Sequence, residues 1–305
     1  MKKVALLLGA LSLVSSVAYA KEVVPAVEEV VVVEEAPVAA APALRVTNFG
    51  QFIEVDNTAG GEDIGEGVWF GNKLGLAYGD DWSFGITAAK IWSMDTDNGI
   101  HSADHRLEMD AWRHFENVDL GLRYRGQSDF DRYYLRGAYH YGMLSGSADV
   151  WYHAVNKNVN GQQDNYEMEL IPVKLTYGPF GIGYFFNYKE GVGNTEKTEF
   201  DHYMEHQIRA YANFDLTEKL STYAEYRVTL GAEQEQYGKE FDLYDAGDYH
   251  KIEVGASYAL TENLSLYGYY AYELGNITEE AERLHNKDVK DKRYGEFTIG
   301  WDYQF

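Results

Sequence analysis

The amino-acid sequence predicts an all-β protein, a transmembrane antiparallel up-and-down β-barrel of about 14 strands. Three observations carry this. Apolar residues recur at every second position through most of the chain, and the links between such segments alternate short and long. Aromatic residues are abundant (Tyr 26, Phe 14, Trp 6) beside 30 Gly and only five Pro. Two-residue alternation means a strand with one apolar and one polar face.

Taken in order, residues 1–20 have the plan of a secretory signal peptide. Lys2 and Lys3 precede an apolar stretch from Val4 to Val17, and Ala18-Tyr19-Ala20 forms a small-x-small cleavage site. No Cys occurs anywhere, which excludes a lipid-anchored lipoprotein, a disulfide framework and a thiolate metal site. Residues 21–43 are mostly Val, Ala, Glu and Pro, with no aromatic and no Gly. Repeated X-Pro steps and clustered Glu favour an extended periplasmic linker. The sharper alternative is a contact with peptidoglycan or a protein partner.

From residue 44 the alternating segments lie near 44–55, 66–78, 82–93, 104–115, 118–126, 132–142, 148–157, 166–178, 180–189, 200–215, 220–231, 248–260, 264–275 and 292–305. In the last, Phe297, Ile299, Trp301, Tyr303 and Phe305 alternate with Glu296, Thr298, Gly300, Asp302 and Gln304. In 166–178 the apolar phase slips across Pro172, which predicts a β-bulge there. The first segment and 148–157 alternate poorly, so 12 or 16 strands stay open.

Short turns are expected at "GDD" (79–81), "FEN" (115–117), "LSGS" (144–147), "GPF" (178–180), "TEK" (217–219) and "TEN" (261–263). Longer polar links are expected at 56–65, 94–103, 190–199, 232–247 and 276–291, whereas "QSDFD" (127–131) on the same side is short. Links segregated by length are the mark of a barrel in an outer membrane, with short periplasmic turns and long outer loops. An even strand count puts both termini in the periplasm. Closure is required, because an open edge in hydrocarbon leaves backbone groups unpaired. Tyr78, Trp82, Tyr124, Tyr188, Tyr258 and Trp301 fall near strand ends, where interfacial aromatic girdles belong.

The terminal "WDYQF" resembles the C-terminal signature of bacterial outer-membrane proteins, and residues 44–305 resemble a porin-type barrel. The leader "MKKVALLLGA" and the following "KEVVPAVEEV" resemble fusobacterial outer-membrane porins of the FomA kind. The resemblance implies localisation in the cell outer membrane, contact with the lipid bilayer and lipopolysaccharide, and passage of small hydrophilic solutes. It also implies that Trp301, Tyr303 and Phe305 mark the chain for the outer-membrane assembly machinery.

With Phe305 facing out, alternation assigns the inward residues. The basic set is Arg106, Arg123, Arg125, Arg132, Arg136, Arg209 and Arg227. The acidic set is Glu167, Glu169, Glu225, Glu253, Glu273, Glu296 and Asp302, with Glu108, Asp110, His140, Lys174 and Lys251 alongside. Ions in this number predict water inside, and about 14 strands leave an aqueous channel. Arg concentrates on the fourth to sixth segments and carboxylate on the eighth and the last three, which predicts a field across the lumen. Arg123 and Arg125 face Arg132 and Arg136, so the expectation is a basic stripe not neutralised by its neighbours.

A general diffusion pore with weak cation preference is the leading expectation, since acidic residues crowd 56–66 and 232–248 and carboxylates at a mouth concentrate cations. The rivals are a porin specific for acidic oligosaccharides, using that stripe, and a surface adhesin or structural barrel. The chain can be a monomer or a homotrimer. It lacks a long third outer loop to narrow a pore, so 232–247 or 276–291 would have to fold inward.

The net charge of −23 excludes nucleic acid as a partner. Neither G-x-S-x-G nor H-E-x-x-H is present, no cofactor motif or metal site is expected, and the chain is not expected to be an enzyme. The weighed exceptions are "HSADH" (101–105), His202 with His206, and the Asp104/His105 and Asp248/His250 pairs of a barrel protease.

Overall fold

The computed structural model describes residues 43–58, 67–95, 99–156, 163–193, 202–236, 238–285 and 291–305. The expected leader and all of the expected linker but residue 43 lie outside them. Fifteen strands and one short helix follow in order. The strands are β1 (Leu44–Asp56), β2 (Val68–Tyr78), β3 (Trp82–Asp95), β4 (Gly99–His114), β5 (Val118–Gly126), β6 (Phe130–Tyr141), β7 (Leu144–Val155) and β8 (Asn165–Tyr177). They continue with β9 (Phe180–Gly191), β10 (His202–Asp215), β11 (Leu220–Gln236), β12 (Lys239–Tyr244), β13 (Tyr249–Ala259) and β14 (Leu264–Gly275). The helix α1 (Glu279–His285) precedes β15 (Lys292–Gln304).

Every barrel strand pairs antiparallel with its neighbours. β11 pairs with β13 below Thr229 and with β12 above it. β15 returns to β1 over Asn48↔Gln304 to Asp56↔Glu296, and Phe305 N–H donates to Thr47 O at 3.0 Å. Fourteen strands therefore close the barrel, and β12 is a hairpin arm rising from it. Closure leaves no edge, which is what a sheet surrounded by hydrocarbon requires.

The alternation works as expected, with the faces inverted relative to a water-soluble sheet. On β13, Ile252 and Val254 are 50% and 47% exposed, while Lys251 and Glu253 are 3% and 8% exposed. On β15, Phe297 and Ile299 are exposed while Glu296 and Thr298 are buried. Only an apolar phase outside makes this arrangement favourable. No helix of the described residues is long and apolar enough to cross a membrane; the strands are the spanning elements.

The sequence placed several boundaries differently. The "LSGS" turn is not a turn: residues 142–143 make it, with Gly142 at φ +60°, and Leu144–Val155 is strand. Gly146 lies opposite a bulge of β8, where the two steps from Ser145 to Ser147 span three from Ile171 to Lys174. The same extra residue shifts the β8–β9 register between Leu170 and Val173, across Pro172, where the bulge was expected. The long link at 94–103 is mostly strand, since β3 runs to Asp95 and β4 starts at Gly99. The links at 232–247 and 276–291 contain β12 and α1.

Candidate functional site

All the Arg and acidic residues assigned inward by parity point into the barrel. The interior they make is more crowded than ~14 strands alone suggest. Arg106, Arg123, Arg125, Arg209 and Arg227 are each at most 7% exposed. At this height long side chains pack against each other, which narrows the aqueous channel expected from the strand number. Toward the short-turn end, Lys73, Lys174, Asp302 and Tyr211 are half-buried, and the interior is more open.

The basic stripe is not bare, which corrects the sequence expectation. On β4, Glu108 Oε1 meets Arg125 Nε at 2.9 Å and Arg106 Nη1 at 3.5 Å. Asp110 Oδ1 takes Arg123 Nε at 2.7 Å and Arg136 Nη1 at 2.9 Å, and Asp149 Oδ1 takes Arg136 Nε at 2.7 Å. Arg132 donates from Nε to His153 Nδ1 at 2.9 Å and lies 4.7 Å over the Phe130 ring. Aromatic faces complete the belt, with Arg106 3.9 Å above Trp69 and Arg136 4.7 Å above Trp112. Such pairs hold because each buried ion has a partner; a lone one would cost several kcal/mol.

A second network lines the far wall. Arg227 Nε meets Glu225 Oε1 at 2.6 Å, and Arg209 donates to Gln207 Oε1 at 3.0 Å while lying 3.4 Å above Phe185. Gln207 in turn donates to Glu205 at 2.6 Å. Glu273 holds both Lys251 (3.2 Å) and Lys292. Tyr223 donates to Glu253 at 2.8 Å and Tyr269 to Glu296 at 2.7 Å. Glu167 and Glu169 face inward on β8, opposite Trp151 and Asp149 of β7. Opposite signs thus offset each other in part within each wall: on β4–β7 Glu108, Asp110 and Asp149 stand against the five guanidiniums of Arg106, Arg123, Arg125, Arg132 and Arg136, while Glu253 and Glu296 opposite are held by Tyr hydroxyls.

Both outer links named as candidates fold toward the mouth. Phe241, Leu243 and Tyr244 of β12 and Ala281 of α1 bury against Ala232, Tyr249, Tyr203 and Ile277. Tyr203 and Tyr249 belong to the inward face, so this apolar cluster stands over part of the long-loop opening. Thr278 Oγ1 caps α1 through the Ala281 amide and also bonds the Asp242 carbonyl, tying the two links together.

The interior aromatics Phe52, Trp69, Tyr134, Trp151 and Phe185 were not among the inward residues named from the sequence, which were all ionisable. Sequence parity also missed Asp149, which lies in the poorly alternating segment 148–157. At the seam of β1 and β15, Phe49, Leu264, Leu266, Trp301, Tyr303 and Phe305 surround an outward apolar concavity, and Phe305 is 72% exposed.

The weighed catalytic pairs do not converge. Asp104 Oδ1 accepts from the His105 and Ser128 amides at 2.7 and 3.2 Å, which organises a link. His250 has outward parity and bonds Tyr226 Oη at 2.7 Å. His206 also faces out, against Tyr184, and His101 Nδ1 lies 3.4 Å from the Gly99 carbonyl. Among the described residues, no group of three or more His, Asp or Glu could hold a metal ion.

No protein-family model matches the chain, and no curated protein matches it. Among solved structures, the chain is similar to OmpT, an outer membrane protein of Vibrio cholerae, at 15% identity over 88% of this chain and 100% of that one, with a TM-score of 0.44. It is similar to the CymD monoaromatic hydrocarbon channel at 9% identity over 87% and 89% of the two chains, TM-score 0.47. The KdgM porin is similar at 10% identity over 85% and 99%, TM-score 0.39. At these identities and scores the likenesses carry no argument about function.

Proposed function

We propose that the protein is an outer-membrane channel of the porin type, passing small hydrophilic solutes and ions by diffusion. One observation carries this reading: a closed 14-strand barrel exposes its apolar residues and buries its charged ones. A protein in water would do the reverse. A barrel in lipid with ions inside provides a polar path where the bilayer has none. The short turns and both ends of the barrel sequence would then face the periplasm, and Trp301, Tyr303 and Phe305 would offer the assembly machinery an exposed apolar edge. The FomA-like kinship rests on the leader and the residues after it alone.

The channel is narrow and weakly cation-preferring in this reading. Glu108, Asp110 and Asp149 occupy the guanidiniums of Arg123, Arg125 and Arg136, and Arg132 is turned to His153 and Phe130, so the stripe offers little free charge to an acidic oligosaccharide. Acidic charge also crowds the outer rim, where Glu240, Asp242, Asp245, Glu279, Glu280 and Glu282 are exposed. Carboxylates there enrich cations at the mouth. Proteoliposome swelling tests the size claim: small sugars such as arabinose should enter and trisaccharides should not. No swelling with any solute would favour the adhesin or structural barrel, and swelling with the trisaccharide would contradict a narrow lumen.

A further inference from the structure

Near the short-turn end, three inward side chains on consecutive strands form a chain of hydrogen bonds that the channel reading does not use. Ser83 Oγ on β3 lies 2.7 Å from His114 Nε2 on β4, and His114 Nδ1 lies 2.7 Å from Asp119 Oδ1 on β5. The hairpin supplies the alignment. His114 and Asp119 are paired across the β4–β5 turn, and Ser83 is in register with Trp112, one inward position before His114. The His114 and Asp119 side chains are 41% and 27% exposed, so small solutes can reach them from the mouth.

We propose that Ser83 is an activated nucleophile and that this mouth of the barrel hydrolyses small esters. The chemistry follows from which nitrogen faces which oxygen. A carboxylate at Nδ1 fixes the imidazole with its proton on that side, leaving Nε2 free to accept. The hydroxyl proton of Ser83 passes to His114 Nε2 as Oγ bonds to the ester carbonyl carbon. The ester C–O bond then breaks, and His114 returns the proton to the departing alcohol. Water repeats the sequence on the acyl-serine, releasing the acid and restoring Ser83. The Ser83 backbone is committed to the sheet between Ala77 and Trp112, so no free amide pair supports an oxyanion beside it. The proposal is therefore confined to esters with good leaving groups.

The test uses the full chain refolded in detergent, with heat-modifiable mobility as the check that each variant still forms a barrel. A fluorophosphonate probe should label one residue, located at Ser83 by peptide mass spectrometry. Ser83→Ala should abolish labelling, and His114→Asn and Asp119→Asn should slow it by about 10²-fold or more. Labelling no greater than in Ser83→Ala, or equally fast without His114, overturns the proposal.

Because the chain contains no other thiol, Ser83→Cys gives an independent reading if Ser83→Ala fails to fold. Iodoacetamide should alkylate that Cys at least about tenfold faster with His114 present than in a His114→Asn background. Equal rates would mean that the three residues only clasp the strands together. None of these results depends on whether the barrel conducts.

Discussion

At the scale of single residues, the interior is organised by partners rather than by charges acting alone. Glu108 lies within 4 Å of three guanidiniums, those of Arg106, Arg123 and Arg125. Replacing it with Gln should destabilise the barrel by ~3–5 kcal/mol, because it strands buried cations. It should also move the reversal potential toward anions, and an unchanged potential would show that the belt does not sense passing ions. Glycine answers aromatic in the same way on the inner wall. A Cβ on Gly71 would land in the Phe52 ring, and one on Gly121 would meet Trp112. Gly71→Val should cost ~1–3 kcal/mol by overpacking, read as a lowered midpoint of heat-modifiable unfolding. The charged interior was legible from parity because ionisable residues repeat every second position. The rings were not, since residue type alone does not tell a ring facing lipid from one inside, and Tyr134 shares its face with Arg132 and Arg136 only by phase. Nor was the Ser83–His114–Asp119 chain, whose spacing in sequence means nothing until the hairpin register aligns it.

At the scale of elements, the strands were the most legible feature and the arms above them the least. Period two over ten or more residues fixes a spanning strand whatever its neighbours do. The β12 arm and α1 are short, polar in composition, and stabilised by each other through Phe241, Leu243, Tyr244 and Ala281. Nothing in either segment alone announces that contact. If the arm narrows the opening, replacing 233–246 with a short Gly-Ser link should raise single-channel conductance by roughly twofold or more while leaving the barrel folded. The Pro172 bulge makes a sharper statement about register. Deleting that residue would remove the extra position, so that Tyr166, Met168, Leu170, Val173, Leu175 and Tyr177 alternate without a break and all keep the lipid face. The heat-modifiable form should be kept, and a deletion variant that no longer assembles would contradict the assigned faces.

At the scale of the whole molecule, one inversion explains the sequence: negative mean hydropathy, abundant aromatics and a net charge of −23 coexist because a single layer of sheet separates lipid from ions. The strand total and the closure between β1 and β15 followed from alternation and link length. The degree of filling did not, because it depends on which long side chains meet across the interior. The most direct test is single-channel recording of the refolded barrel in a planar bilayer under a salt gradient. Small, ohmic steps with a reversal potential displaced modestly toward the cation value are expected. A folded barrel that inserts yet passes no current, or one that is clearly anion-selective, would contradict the account.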